Sequence, residues 1–288
     1  VKGKERVYSN LGGLRQAVLN RNALLKQRKI RHPQVPVSEV LDFEYLGENI
    51  QIIKEEHAPG VTLETFLEEE EDLSRGLKER ISIKLFHQLA NILGYFERER
   101  ITHNDLKPDN IKVDVRDRDK EELDAYVLDM NLSKSYDTLD SLVGSVFFMA
   151  PERVNQDLET NNVSSDIFSL GMCMYYYWKR KTVVDFSEGK TEALRQEVLE
   201  ILSDRKSYYK ALSFRGIPRR VRKVIKKAIN WDPKKRYQSF QELEHDLYKI
   251  IPTERRRKSR VRKFFMMASS VALAAGAFLA YSSTMWGV

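Results

Sequence analysis

One cysteine in 288 residues, Cys173, excludes an intramolecular disulfide. Its place in the apolar run Gly171 to Trp178 makes it a small buried hydrophobe and suits a reducing compartment. Internal repeats are absent, as is low-complexity sequence apart from one basic run, which excludes solenoids and arrays. Residues 1 to 254 carry no net charge. The chain has 49 basic and 42 acidic residues, and the surplus of seven is Arg255, Arg256, Arg257, Lys258, Arg260, Arg262 and Lys263. The pI near 9.2 thus reflects one short run and not a basic face spread over a fold, so no nucleic-acid partner is expected.

Charge is also missing from Phe264 to Val288. These 25 residues, FFMMASSVALAAGAFLAYSSTMWGV, are long enough to cross a bilayer as one helix, with Tyr281 and Trp286 where an aromatic belt would sit. Its position excludes a cleaved signal peptide. The seven cations before it place the preceding domain on the cytoplasmic side. The expected order is a domain over 1–250, a basic juxtamembrane segment over 251–263 and a single transmembrane helix over 264–288.

What is present before that point has mixed periodicity. Val7 to Ile30 spaces Leu14, Val18 and Leu25 as a helix would, ending at His32-Pro33. Val35 to Phe43 and Asn49 to Glu55 read as strands, followed by the turn His57-Ala58-Pro59-Gly60. Ile81, Leu85, Leu89, Ile92, Leu93 and Phe96 mark a strong amphipathic helix that ends just before His103. Ile111 to Val115 and Ala125 to Leu128 read as short strands joined by a charged loop, and the pattern is mostly helical from Ser164 onward.

The chemistry lies in His103-Asn104-Asp105-Leu106-Lys107-Pro108-Asp109-Asn110, with Asp129 following 19 residues later. Phosphoryl transfer to a hydroxyl needs a carboxylate to accept the proton, a cation against the transferring phosphate and oxygen ligands for magnesium. The loop offers all three. It resembles the catalytic loop of eukaryotic-type Ser/Thr protein kinases, and other segments follow in that family's order. Gly144-Ser145 and Ala150-Pro151-Glu152 resemble the end of the activation segment. Asp166 to Gly171 resembles the start of the central helix, and Asp232 to Arg236 contains an arginine like the one that pairs with the glutamate of that segment.

The resemblance covers about residues 1 to 250 and implies an α+β, two-lobed protein kinase fold. A truncated small β-rich N-lobe would run to about 57, and a larger helical C-lobe would start at about 61. Asp105 would accept the hydroxyl proton, Lys107 would contact the γ-phosphate of ATP, and Asn110 and Asp129 would hold Mg2+. Lys2 would grip the α- and β-phosphates, and backbone groups of Glu56 and Ala58 would pair with adenine. His103 and Asp166 would have structural roles, Asp166 by bracing the loop backbone, and Glu152 would pair with Arg236. Lys107, two positions after Asp105, matches the Ser/Thr pattern, so the implied partner is a protein with Ser or Thr acceptors. The bilayer and its anionic headgroups are the other expected partners.

Several departures accompany the resemblance. The glycine-rich loop is missing, because Val1-Lys2 already resembles the strand that should follow it. No acidic residue occurs between Glu5 and Glu39, so the usual glutamate partner for Lys2 is missing too; Arg21 or Asn22 takes its turn. The DFG motif reads Asp129-Met130-Asn131. Asn104 replaces the arginine that reads activation-loop phosphate, which disfavours Ser135, Thr138 or Ser141 as a phosphorylation switch. Lys112 stands where an apolar residue usually underlies adenine; its stem would cover the ring while its amine reaches solvent. These features leave two alternatives to an active protein kinase: a membrane-tethered pseudokinase scaffold, and a small-molecule kinase of the aminoglycoside-phosphotransferase type. The docking motifs at 144–152 and 166–171 speak against the latter.

Overall fold

In the computed structural model, which describes residues 32–36, 38–45, 48–70, 73–117, 122–128, 146–155 and 163–251, the longest element is a helix, Arg75–Arg98. Its start is set by Ser74, whose hydroxyl accepts the Leu77 N–H at 3.4 Å. Ile81, Leu85, Leu89, Leu93 and Phe96 bury one continuous stripe, the face that the sequence spacing predicts. Two strands precede it. β1 (Ser38–Tyr45) and β2 (Glu48–Glu55) pair antiparallel from Ser38–Glu55 to Tyr45–Glu48. Both predicted strands are therefore present, the first starting and ending later than its apolar pattern suggests.

A short linker leads into β3 (Val61–Thr62) and helix α1 (Leu63–Glu69), which Thr62 caps by accepting the Thr65 N–H at 3.2 Å. The long helix is α2. Gly60 in the linker has φ +83°, and a Cβ there would lie 2.2 Å from the Val113 carbonyl oxygen, so both backbone angle and close approach require glycine. β3 pairs with β4 (Ile111–Asp117), and β4 pairs with β5 (Glu122–Val127), giving a second, three-stranded antiparallel sheet. Ile111, Val113, Leu123, Ala125 and Val127 face the core. β5 is an edge strand, and α2 covers that edge with one side chain. The Gln88 amide donates to Leu123 O at 2.9 Å and accepts the Ala125 N–H at 3.0 Å.

The rest of the described chain is helical: α3 (Pro151–Val154), α4 (Val163–Lys179), α5 (Glu192–Ser203), α6 (Arg205–Ala211), α7 (Arg219–Ala228) and α8 (Phe240–Ile250). From Ser164 to Tyr177 α4 is buried on all sides, which marks it as the core helix of this region. It crosses α7 at Gly171. A Cβ at that position would lie 2.7 Å from both Ala228 Cβ and Ile229 Cγ2. Gly171→Ala should therefore lower stability although alanine favours helix by about 1 kcal/mol, because overpacking costs about 1–3 kcal/mol. Urea unfolding measures the balance, and unchanged or raised stability would contradict this packing.

The chain divides into a compact unit, Val1–Lys249, and a second unit, Ile250–Val288, which beyond Ile251 lies outside the described residues. No helix among the described residues is long and apolar enough to cross a membrane, and the 264–288 segment lies outside them. The helix expected over 7–30 also lies outside the described residues.

Candidate active site

The loop from His103 to Asn110 runs between the end of α2 and β4, and buried groups fix both of its ends. Asp166, at the start of α4 and 2% exposed, accepts the His103 N–H at 2.6 Å and the Asn104 N–H at 2.8 Å. Burial raises the Asp166 pKa above the usual carboxylate value; the His103 ring, the two N–H donors and Arg153 partly offset that rise. At the far end, Asn110 O accepts the Leu128 N–H at 2.8 Å, which joins the loop to the chain leaving β5.

The His103 ring, fully buried, ties these ends together. Its Nε2 lies 2.9 Å from Leu128 O, an acceptor only, so Nε2 carries the proton. Its Nδ1 is then free to accept the Asp105 N–H at 3.3 Å. Leu128 is thereby held at both its N–H and its carbonyl. Asp129 follows it directly in the chain and lies outside the described residues, as does Lys2.

Inside this frame the loop's polar side chains converge. Lys107 Nζ lies 3.1 Å from Asp105 Oδ2. Asn110 Nδ2 donates to the same oxygen at 3.2 Å and to Asp105 O at 2.8 Å. With its nitrogen so used, the Asn110 amide leaves Oδ1 without a partner among the described residues, a neutral hard oxygen of the kind that suits magnesium. Asp109 is turned toward other company, 3.7 Å from Lys190.

Asn104 has φ +66°, a left-handed conformation that asparagine tolerates better than most residues. Its carbonyl accepts from Arg153 Nη1 at 2.5 Å. The residue is held at both peptide groups: its N–H by Asp166 of α4, its C=O by Arg153 of α3. Thus a guanidinium does come to position 104, carried there by α3 and not by residue 104 itself.

α3 is in turn clamped. Arg236 and Glu152 form a two-pronged pair, Nη1–Oε1 at 2.6 Å and Nη2–Oε2 at 2.7 Å, with side chains 0% and 5% exposed. Ser165 donates to Glu152 Oε1 at 2.8 Å. Carbonyls of Asn230, Ser164 and Trp231 take the remaining guanidinium protons, so all five N–H donors are used.

The linker places Glu56 exposed and Ala58 buried between β2 and β3. The Ala58 N–H has no partner among the described residues, so it can still donate to a base. Lys112 is half-buried, and its amine donates to Ala58 O at 2.8 Å, where antiparallel pairing of Lys112 with Thr62 brings its stem toward the linker. Nothing in composition or periodicity signals that bond; it depends on β3, a strand of two residues.

A protein kinase domain family model matches residues 14–248. The serine/threonine-protein kinase PrkC of Bacillus subtilis is 26% identical over 217 residues, covering 75% of this chain and 32% of its own length. PknD of Chlamydia pneumoniae, also named a serine/threonine-protein kinase, is 27% identical over 266 residues, which is 80% of this chain and 27% of PknD. The mitogen-activated protein kinase kinase kinase mkh1 of Cytospora mali is 37% identical over 100 residues, 33% of this chain and 5% of its own. The chain thus spans about a third or less of the length of these relatives.

Proposed function

This chain belongs to the protein kinase family, and from that premise we propose that it transfers the γ-phosphate of ATP to Ser or Thr hydroxyls of proteins at the cytoplasmic face of a membrane. The observation that carries this reading is the meeting of Asp105, Lys107 and Asn110 within 3.2 Å on a loop braced from both ends. Asp105 accepts the proton of the attacking hydroxyl. Lys107 steadies the transferring phosphate, and its bond to Asp105 keeps that carboxylate aimed. Asn110 Oδ1 and Asp129 are the groups for magnesium, which when bound neutralises charge building on the phosphates. Lys2 would hold the α- and β-phosphates, and the linker backbone would take the adenine.

Serine and threonine are favoured over tyrosine by Lys107, two residues after Asp105, and by the names of the relatives. Membrane attachment is supported by the uncharged stretch 264–288 and the cations before it. Phosphoamino-acid analysis of a protein substrate labelled from ATP tests the acceptor class: phosphoserine or phosphothreonine is expected, and phosphotyrosine alone would overturn it.

A second reading, a scaffold without catalysis, is favoured by one observation, the absence of any acidic residue between Glu5 and Glu39. Against it stands the retention of Asp105, Lys107, Asn110 and Asp129 together, which a scaffold has no chemical use for. Regulation follows from position 104. Arg153 is already engaged by the loop backbone there, and residue 104 carries no charge of its own. Replacing Ser133, Ser135, Tyr136, Thr138 and Ser141 together by alanine should leave kcat within about threefold, a change under 1 kcal/mol. Complete loss, restored by acidic residues, would show that loop phosphorylation is the switch.

A further inference from the structure

The even charge balance of residues 1 to 254 hides a strong segregation. From Arg205 to Arg236 there are 13 cations and one carboxylate, Asp232. The fold gathers them. Val221, Val224, Ile225 and Ala228 bury one side of α7, so Arg219, Arg222, Lys223 and Lys226 take its outer side. α6 joins the same surface: Tyr208 donates to Ile229 O at 2.8 Å, and Tyr209 Oη lies 3.4 Å from Asn230 Oδ1.

Carboxylates at the margins meet other cations of the segment. Glu79 bonds Arg220 at 2.6 Å, Glu242 lies 3.8 Å from Lys227, and Asp232 lies 3.6 Å from Lys235. The four outer cations of α7 have no carboxylate partner among the described residues. In this same surface sits Tyr209, 42% exposed, the large hydrophobic side chain most open to solvent among the described residues. Its hydroxyl accepts the Trp231 N–H at 3.2 Å and its ring lies 5.9 Å from the Arg205 guanidinium, so an exposed aromatic ring beside a cation is offered to a headgroup boundary.

We propose that the outer face of α7, with Tyr209 of α6, docks on anionic phospholipid headgroups. The proposal rests on the membrane reading above and extends it, since it assigns a lipid-facing surface to the folded domain itself. Two features select lipid over other polyanions. The face is cationic and has no carboxylate partner among the described residues, Lys226 lying over the Phe214 ring, and the chain beyond α8 reaches an uncharged 25-residue stretch after only residues 251 to 263. Even fully extended, those 13 residues span no more than about 45 Å. A domain so tethered stays close to the bilayer, and each cation reaching an anionic leaflet strengthens its docking by about fivefold.

Trp231 and Trp286 allow both readings to be tested in one sample. The full chain is reconstituted in vesicles of phosphatidylcholine, with or without phosphatidylserine, that carry spin labels at the headgroup; Trp231→Phe and Trp286→Phe assign the signals. Expected is quenching of Trp286 by the headgroup label in both lipids and at any salt concentration, as its aromatic-belt position requires, and of Trp231 by that label only with phosphatidylserine. Molar salt should release Trp231, because screening shortens to about 3 Å. Combining R222E, K223E and K226E should reduce Trp231 quenching to its level in phosphatidylcholine, with Trp286 unchanged. Equal Trp231 quenching in both lipids, or no effect of the charge reversals, would overturn the docking surface while the anchor stands. Unquenched Trp286 would overturn the anchor and the proposal with it. Displacement of Trp231 from phosphatidylserine vesicles by a short DNA duplex, with no loss of the duplex to lipid competition, would assign the face to nucleic acid instead.

Discussion

Replacing Arg236 by alanine should destabilise the domain by about 3–5 kcal/mol, because it leaves Glu152 charged, buried and without its partner. Glu152 would keep only the Ser165 hydroxyl, and the carbonyls of Asn230, Ser164 and Trp231 would lose their donor together. Arg236→Lys should recover little. An ammonium has three donors against the five that the site uses, and it cannot meet both carboxylate oxygens in one plane. For a domain of this size the loss corresponds to a fall in melting temperature of about 6–20 °C. Thermal unfolding measures it. A shift no larger than that of an exposed ion pair would mean that the two side chains are solvated. The effect should reach the active site as well, since Glu152 and Arg153 are adjacent on α3. Loosening α3 frees the Asn104 carbonyl that Arg153 holds.

Asp105→Asn should lower kcat by about 10³-fold with little change in nucleotide affinity, since it removes a proton acceptor and leaves the fold intact. The amide matches the carboxylate in size, and the braces on the loop act through backbone N–H groups of His103, Asn104 and Asp105, none of which the substitution touches. The Lys107 ammonium would lose its anionic partner at 3.1 Å and become free to follow phosphate. Steady-state kinetics at several ATP concentrations separate kcat from KM. A rise in KM at constant kcat would make Asp105 a binding group and not the base.

How far the sequence could be read depended on whether a feature is local. The stripe from Ile81 to Phe96 has helical period and became the buried face of α2. The meeting of Asp105, Lys107 and Asn110 needs only one turn of loop, so spacing alone brings it into view. Contacts made across the fold were less visible. The Lys112 bond to Ala58 depends on β3, a two-residue strand too short for any periodic signal. Gln88 sits within the polar positions of α2, and only the pairing of β4 with β5 reveals that it closes a sheet edge. Arg153 reads as an ordinary charged residue until α3 brings it against Asn104. A signal was available at position 104 itself, because asparagine tolerates the positive φ that the loop takes there. The basic face was missed for a different reason. Summed charge discards position, and 13 cations in one segment cancel against carboxylates elsewhere in the chain.

We propose that this chain is a working kinase and not a scaffold on a kinase fold. The most direct measurement is a single-turnover reaction of the full chain with γ-labelled ATP, magnesium and a Ser/Thr protein acceptor, with nucleotide binding followed in the same samples. Expected is magnesium-dependent appearance of label on the acceptor, absent in Asp105→Asn and in Asp129→Ala. Nucleotide bound at saturation with no label transferred would contradict the claim and leave the scaffold.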